Sequence, residues 1–285
     1  MIVTNKLHLP DAFVKAVSRE RHNEPGSFSA TTLNKGAKEI VLTDRHWDEI
    51  EVDAAANVWA VWGTAIHALM ESQPDGNFHE EKFKVRVNNS WVTGQVDSYD
   101  MEHGVIYDWK TASTWKVQFN DFSDWYAQGM TYAYLLTQSG FEVNRCVFVA
   151  LLKDHSKSKA RTDSSYPQSP VFRYEFEVTP EELAQTEARI LAKVQEIEAA
   201  YKLADDDIAP CSPEERWADN DKWAVMKNGR KSAVKLFDNE RDAEAFAGEQ
   251  GNSHYVEHRP AISRKCGDYC ACCEFCSYYR NEVSK

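Results

Sequence analysis

A predicted β-hairpin with a short loop at Met101–Gly104 is the feature that most constrains how this chain can fold. If the loop consists of these residues, Asp100 pairs with Val105, and Asp97 lies directly opposite Asp108. Cross-strand neighbours have Cβ atoms about 5 Å apart, and like charges at that spacing destabilise a sheet. A divalent cation removes the repulsion, because Mg²⁺ takes oxygen ligands and keeps other coordination positions for water and phosphate. The hairpin therefore predicts a metal site.

Lys110 follows Asp108 by two positions, so both side chains lie on the same face of the second strand. This pair suits phosphodiester hydrolysis, since a metal polarises the phosphate and acidifies the attacking water, while the lysine offsets developing charge. Asp-x-Lys alone is more typical of a solvated surface hairpin. The addition of Gly94-x-x-Asp97 at hairpin spacing favours a catalytic site.

Two predicted helices bring further polar side chains to the hairpin. His67 lies in a helix with an apolar stripe, where a lone histidine is more often a core or boundary residue than a ligand. Gly63, one turn earlier, costs about 1 kcal/mol in a helix interior and indicates close backbone packing. Gln128 and Tyr132 share one face of the next helix, which is equally compatible with a partly buried helix in an aromatic core.

The order of predicted elements indicates a mixed α/β core. Helices are predicted over 11–21, 52–72, 123–138 and 179–203, and strands over 80–87, 90–99, 105–111, 145–152 and 171–178. Tight loops make the first three strands antiparallel, and the helix before the fourth strand allows that strand to return parallel. Thr179-Pro180-Glu181-Glu182 is a strong helix start with a threonine N-cap. We therefore predict a central mixed β-sheet flanked by helices.

A smaller unit follows a polar boundary at 204–213. Its hairpin carries Asn228-Gly229, the strongest two-residue turn signal, which would place Lys222, Lys231 and Lys235 on one face. A helix over 240–249 and a strand over 254–258 complete a ββαβ accessory unit. The four predicted parts are an N-terminal segment 1–27, the core 28–210, the accessory unit 211–263 and a cysteine-rich C-terminal segment 264–285.

Four short motifs occur in a fixed order along the core. They are Gly63-x-x-x-His67, Gly94-x-x-Asp97, Asp108-x-Lys110 and Gln128-x-x-x-Tyr132. In order and rough spacing they resemble the RecB-type branch of the PD-(D/E)XK nuclease superfamily, which includes RecB and AddB nuclease domains and CRISPR-associated adaptation nucleases. The resemblance covers about residues 28–180. It implies a restriction-endonuclease-like core and a nuclease that uses Mg²⁺ or Mn²⁺.

The resemblance also implies a role for each motif residue. The metal ligands that it implies are His67, Asp97, Asp108 and the backbone carbonyl of Trp109. Lys110 would be the catalytic lysine, and Gln128 and Tyr132 would brace the site and contact the DNA strand. Glu81, in the strand before the hairpin, is either a supporting carboxylate or a solvated strand residue.

Five of the seven cysteines lie between Cys266 and Cys276, and without an export signal we expect a metal or cluster site rather than disulfides. Cys266, Cys270 and Cys276 are similar to the C-terminal cysteines of RecB-type nucleases that hold an iron–sulfur cluster. The first cysteine of that pattern is missing, and Cys211 is the best substitute. The resemblance implies a [4Fe–4S] cluster, whereas spacing alone leaves tetrahedral Zn²⁺ or unligated thiols open. Cys146 is predicted to be a core residue.

The net charge of −12 argues against a protein that coats nucleic acid by bulk charge. Basic residues nevertheless cluster at 153–161 and 222–235, where phosphate contact and a solvated surface are both compatible with the pattern. No apolar run is long enough to cross a bilayer, and no signal peptide is visible. We therefore expect a cytoplasmic protein without a membrane partner.

The leading hypothesis is a metal-dependent DNA exonuclease that acts on DNA ends or single strands in recombination, repair or phage replication. A recombination or replication protein is a further expected partner. One alternative is a catalytically silent nuclease-fold module that binds DNA or protein and uses the cluster structurally. Another is a hydrolase whose catalytic metal is zinc on the cysteines. Cleavage assays of variants at Lys110, Asp108 and Cys270 separate these hypotheses.

Overall fold

The computed structural model describes residues 1–18 and 24–284. Its helices are α1 Asp11–Val17, α2 Ala37–Arg45, α3 Val58–Glu71, α4 Thr114–Phe119, α5 Ser123–Gln138, α6 Lys157–Thr162, α7 Pro180–Ala200, α8 Glu240–Gln250 and α9 Arg264–Asp268. Its strands are β1 Ile2–Thr4, β2 Ser27–Ser29, β3 Glu51–Asp53, β4 Phe78–Val87, β5 Ser90–Asp100, β6 Val105–Ala112, β7 Arg145–Leu152, β8 Val171–Glu177, β9 Lys222–Lys227, β10 Lys235–Phe237 and β11 His254–Arg259. None of the described helices combines the length and apolar character of a membrane span.

Six strands form the central sheet, in the order β2-β5-β6-β7-β8 with β4 paired to β5. β5 runs antiparallel to both β4 and β6. β7 runs parallel to β6, because the chain crosses over through α5 between these two strands. β8 then pairs antiparallel with β7. The predicted central mixed sheet flanked by helices is therefore confirmed.

The main hydrophobic core lies between this sheet and the helices α5 and α7. Ile190 and Val194 of α7 are fully buried in it, and so is Cys146, as predicted. α7 begins where the sequence predicts, because Thr179 and Glu182 form a reciprocal capping box. The Thr179 hydroxyl accepts a hydrogen bond from the Glu182 amide at 3.2 Å.

The predicted helix over 52–72 is wrong at its start, since α3 begins only at Val58. The Asp53 carboxylate accepts hydrogen bonds from the Ala55 amide at 3.1 Å and the Thr4 hydroxyl at 3.0 Å. These bonds hold β3 beside β1 and cap a 3₁₀ turn that precedes α3. The predicted helix over 11–21 ends earlier, at Val17, and its positions 19–21 lie outside the described residues.

The accessory unit has its own sheet, in the order β10-β9-β11, which packs against α8. The predicted ββαβ order is confirmed. Asn228-Gly229 forms a turn, closed by a hydrogen bond from the Arg230 amide to the Lys227 carbonyl at 2.9 Å. The two-residue hairpin register is wrong, because Val225 pairs with Lys235 and not with Ser232. The Asn228 amide donates to the Ser253 carbonyl at 2.8 Å, so β9 continues its pairing toward β11 instead. Pairing with β10 includes Lys235 opposite Val225. Lys235 therefore lies on the Val225 face of this sheet and not on that of Lys222.

Candidate active site

The β5–β6 hairpin has the predicted register, because Asp100 pairs with Val105. Asp97 and Asp108 occupy facing positions two steps beyond Tyr99 and Ile106 on their strands. The Asp97 carboxylate is 7% exposed, and its Oδ2 accepts a hydrogen bond from the backbone amide of Trp109 at 2.7 Å. This bond ties Asp97 to the strand that carries Asp108.

Asp108 is buried and held by two side chains. Its Oδ2 lies 2.6 Å from Lys110 Nζ, and its Oδ1 accepts a hydrogen bond from Gln128 Nε2 at 3.1 Å. Lys110 Nζ in turn donates to Gln128 Oε1 at 3.0 Å, which closes a ring of three groups. Burial raises the pKa of Asp108 to about 6, against the Lys110 ammonium, which lowers it. Burial favours the protonated form of the Asp108 carboxyl, and the Lys110 ammonium held against it favours the charged form.

Tyr132 supports this ring from α5. Its hydroxyl accepts a hydrogen bond from Gln128 Nε2 at 2.8 Å, and burial raises the pKa of the phenol. The ring of Tyr132 packs on Gly94, where a Cβ would lie 2.9 Å from Tyr132 Cδ1. Only glycine leaves room for this approach of α5 to β5, which explains the glycine of the Gly94-x-x-Asp97 motif.

His67 reaches the hairpin from α3. Its Nδ1 lies 3.1 Å from Asp97 Oδ1 and 3.8 Å from Glu80 Oε1. The hydrogen bond with Asp97 raises the pKa of His67 above its ordinary value, against the effect of burial. The expected close packing at Gly63 on the same helix is wrong, since a Cβ there would have no atom within 4 Å.

Glu80, rather than Glu81, is the β4 carboxylate at this site. Glu81 pairs with Val96 and is exposed, whereas Glu80 faces His67 and accepts a hydrogen bond from Gln95. Burial raises the pKa of Glu80. Its backbone has a φ of +52°, a left-handed conformation that costs a non-glycine residue of the order of 1–3 kcal/mol.

A signal for Glu80 was present in the sequence. The Asn88-Asn89 loop places Val87 opposite Ser90, and the same register places Glu80 opposite Asp97. Applying the cross-strand rule to the first hairpin as well as to the second therefore finds this carboxylate.

His67, Glu80 and Asp97 offer ligand atoms that lie within 4.8 Å of one another, and no other such group of three occurs among the described residues. An imidazole with two carboxylates suits Mg²⁺ or Mn²⁺. Asp108, which was also predicted as a ligand, lies outside this group. Asp108 Oδ2 is instead engaged by the Lys110 ammonium at 2.6 Å. The Trp109 backbone carbonyl stays a predicted ligand. The donor set fits a divalent cation.

The cysteines form a second cluster. One cavity is lined by all four predicted ligands, Cys211, Cys266, Cys270 and Cys276. Cys272 and Cys273 line the same cavity. A Cβ at Gly36 would overlap the Cys211 sulfur, so this glycine makes room for that thiol. No three sulfurs in the described ranges lie within 4.8 Å of one another.

Charged side chains surround this cavity. Lys38 and Arg216 line it, and the buried Lys38 ammonium donates to the Ile208 carbonyl at 2.8 Å. Burial raises the pKa of the Cys211 and Cys266 thiols to about 11. A metal cluster would have to displace these thiol protons, and the neighbouring cations offset the negative charge of the resulting thiolates.

Comparison with known proteins gives similarity at the level of structure only. No family model and no curated protein matches the chain. The crystal structure of SSO0001 aligns with a TM-score of 0.46 and 14% identity over 64% of this chain and 83% of that one. An alkaline exonuclease from Laribacter hongkongensis aligns with a TM-score of 0.39 and 12% identity over 62% of this chain and 90% of that one. A phage related exonuclease from Haemophilus somnus 129PT aligns with a TM-score of 0.35 and 14% identity over 60% of this chain and 92% of that one. These TM-scores are too low to assign an activity.

Proposed function

We propose that this protein is a metal-dependent DNA nuclease of the PD-(D/E)XK type. The observation that carries the proposal is the arrangement on the β5–β6 hairpin. Asp97 faces His67 and Glu80, while Asp108 is locked to Lys110 and shares its other oxygen with a helix side chain. A purely structural hairpin gains nothing from bringing three carboxylates and an imidazole together, because like charges at this spacing are destabilising.

Each of these groups has a distinct task in phosphodiester hydrolysis. His67, Glu80 and Asp97 would hold the Mg²⁺ or Mn²⁺ ion, with Asp108 beside them. When bound, the cation polarises the phosphate and makes the attacking water more acidic. The Lys110 ammonium orients that water and stabilises the negative charge that develops on the phosphate. Gln128 fixes the lysine through the hydrogen bond to its Nζ.

The finer parts of the proposal rest on the sequence motifs. We propose an exonuclease of the RecB-type branch that acts on DNA ends or single strands in recombination, repair or phage replication. The catalytic core would comprise residues 28–210, and the accessory unit 211–263 would be inserted between Cys211 and the cysteine-rich segment 264–285. A [4Fe–4S] cluster on the four cysteines would join this segment to the core.

The test is cleavage of a 5′-labelled oligonucleotide with Mg²⁺ or Mn²⁺, with EDTA as the zero-metal condition. Lys110→Ala should lower the rate at least about 100-fold, as loss of a group that stabilises the transition state does. Lys193→Ala is the matched control, because Lys193 is also a partly buried, ion-paired lysine, 2.6 Å from Glu215. Its rate should equal that of the wild type.

Three results would overturn the proposal. Wild-type protein without metal-dependent cleavage would indicate a binding module instead. Full activity of Lys110→Ala would remove the assigned role of the lysine. Activity that survives Asp108→Ala but not Cys270→Ala would place catalysis at the cysteines.

A further inference from the structure

Helix α3 is rich in apolar residues, yet none of its side chains is buried. Trp59 is 53% exposed, Trp62 is 49% exposed and Leu69 is 55% exposed. The two indole rings contact each other edge to face, with centroids 5.9 Å apart. Large exposed apolar faces mark binding surfaces, so this helix is expected to be covered by a ligand or partner.

A second aromatic pair lies on the short helix α4. The rings of Trp115 and Phe119 stack with centroids 5.6 Å apart, and the side chains are 60% and 72% exposed. α4 begins directly after β6, the strand that carries Asp108 and Lys110. The second pair is therefore attached to the catalytic strand, as the first is attached to the helix that carries His67.

The segment directly after β7, which contains Lys153 and Asp154, contacts both aromatic helices. Lys153 Nζ lies 4.2 Å from the centroid of the Trp59 ring. The next residue, Asp154, accepts a hydrogen bond from the Thr114 amide at 2.7 Å, at the start of α4. The Lys153 amide donates to the carbonyl of Ala112 at 3.0 Å, two residues beyond Lys110. Both pairs are therefore linked through this segment to the C-terminal end of β6, the strand that carries Asp108 and Lys110.

Exposed cations occur at Lys153, which contacts Trp59, and in the helix α6 that follows it, in a chain whose net charge is −12. Lys153, Lys157, Lys159 and Arg161 are exposed, and none of them forms an ion pair within 4.0 Å among the described residues. Lysine and arginine beside exposed aromatic rings are the combination that binds single-stranded nucleic acid, since bases stack on the rings and phosphates contact the cations.

We propose that an aromatic platform, formed by Trp59, Trp62, Trp115 and Phe119, stacks the unpaired bases of single-stranded DNA as the strand enters the active site. The proposal rests on the proposed nuclease function and narrows its substrate to single strands or unpaired ends. Duplex DNA fits less well, because its bases are already stacked on one another. A second copy of this chain is also a less suitable partner for the platform. A symmetric dimer through this surface would bring the cations of one copy against those of the other, and like charges repel.

The experiment measures binding without cleavage. The full-length chain in EDTA is titrated into a fluorescently labelled fifteen-nucleotide thymidine strand, and anisotropy gives the dissociation constant. The double variant Trp59→Leu/Trp115→Leu should bind at least about tenfold more weakly, since base–aromatic stacking accounts for roughly this much per base. Trp59→Phe/Trp115→Phe should retain binding within about threefold, because an aromatic face remains.

Trp91→Leu is the matched control. Trp91 is also an exposed tryptophan with cations near its ring, Lys84 at 5.2 Å and Arg86 at 5.4 Å. It lies six residues before Asp97 on β5, which is about 20 Å along the strand. Its loss should leave binding unchanged.

Several results would overturn the platform. These are unchanged binding of the leucine double variant, an equal loss in Trp91→Leu, and an equal loss on a blunt duplex. A dimeric wild type that becomes monomeric in the leucine variant, with DNA binding intact, would assign the surface to a second copy. Binding is measured in EDTA and therefore does not depend on cleavage. If the leucine double variant binds the strand more weakly, while the wild type shows no metal-dependent cleavage in the separate assay, the nuclease function is rejected and the platform is kept.

Discussion

Gly94→Ala tests how tightly β5 and α5 are joined behind the candidate active site. A Cβ at Gly94 would lie 2.7 Å from Leu135 Cδ1 and 2.9 Å from Tyr132 Cδ1. To restore an ordinary contact of 3.4 Å, these atoms have to retreat by about 0.7 Å and 0.5 Å. Because the Tyr132 hydroxyl bonds to Gln128, this movement also disturbs the group that holds Lys110 and Asp108.

The expected magnitude follows from the cost of overpacking a buried site. Such substitutions lower the free energy of unfolding by about 1–3 kcal/mol. In a chain of this size each kcal/mol lowers Tm by about 2–4 °C, so a fall of roughly 2–12 °C is expected. Misplacement of the braced lysine should also reduce the cleavage rate by up to about tenfold at a temperature where the variant is fully folded.

Calorimetry and the cleavage assay measure the two effects, and Gly63→Ala provides the control. Gly63 lies in α3 with no atom within 4 Å of a built Cβ. Alanine there should raise the stability by up to about 1 kcal/mol, because it has the higher helix propensity. A Gly94→Ala protein as stable and active as the wild type, or a change of the same sign in both variants, would refute the reasoning.

Three further predictions concern other parts of the molecule. Tyr132→Phe removes one buried hydrogen bond, worth about 1 kcal/mol, and should slow cleavage while Mn²⁺ affinity by calorimetry stays the same; an unchanged rate would contradict the bracing role. Gly36→Ala should lower the iron bound per chain, measured by metal analysis, whereas Gly248→Ala, with open space around it, should not; equal iron in both would contradict the cysteine site. The hydrogen bond with Asp205 raises the pKa of His46 above 6.5, so its stabilising effect is present below that pH and is lost as pH rises through the raised value. The Tm difference between wild type and His46→Gln should therefore shrink from about pH 5.5 to 8.5, and a difference that grows would contradict this sign.

The sequence was most informative where loop length fixed register. The four-residue loop at Met101–Gly104 determines which residues of β5 and β6 face each other, so the facing positions of Asp97 and Asp108 follow from counting. The start of α7 was equally predictable, because Thr179 and Glu182 cap it locally. Both features depend on neighbours within a few residues.

The errors have the opposite character, since they depend on partners far along the chain. β3 replaces the first turns of a predicted helix because it pairs with β1 near the N-terminus. The Asn228-Gly229 turn forms, but Asn228 bonds to Ser253 of the neighbouring strand, and Val225 pairs with Lys235 rather than with Ser232. Long-range pairing overrides local propensity at each of these positions.

The most direct test of the account is anomalous diffraction from a crystal soaked in Mn²⁺. We expect a peak bound by the carboxylates of Asp97 and Glu80 and the imidazole of His67, and we expect its loss in Asp97→Asn. A soaked crystal without density among these three side chains would contradict the central claim that this hairpin holds a catalytic cation.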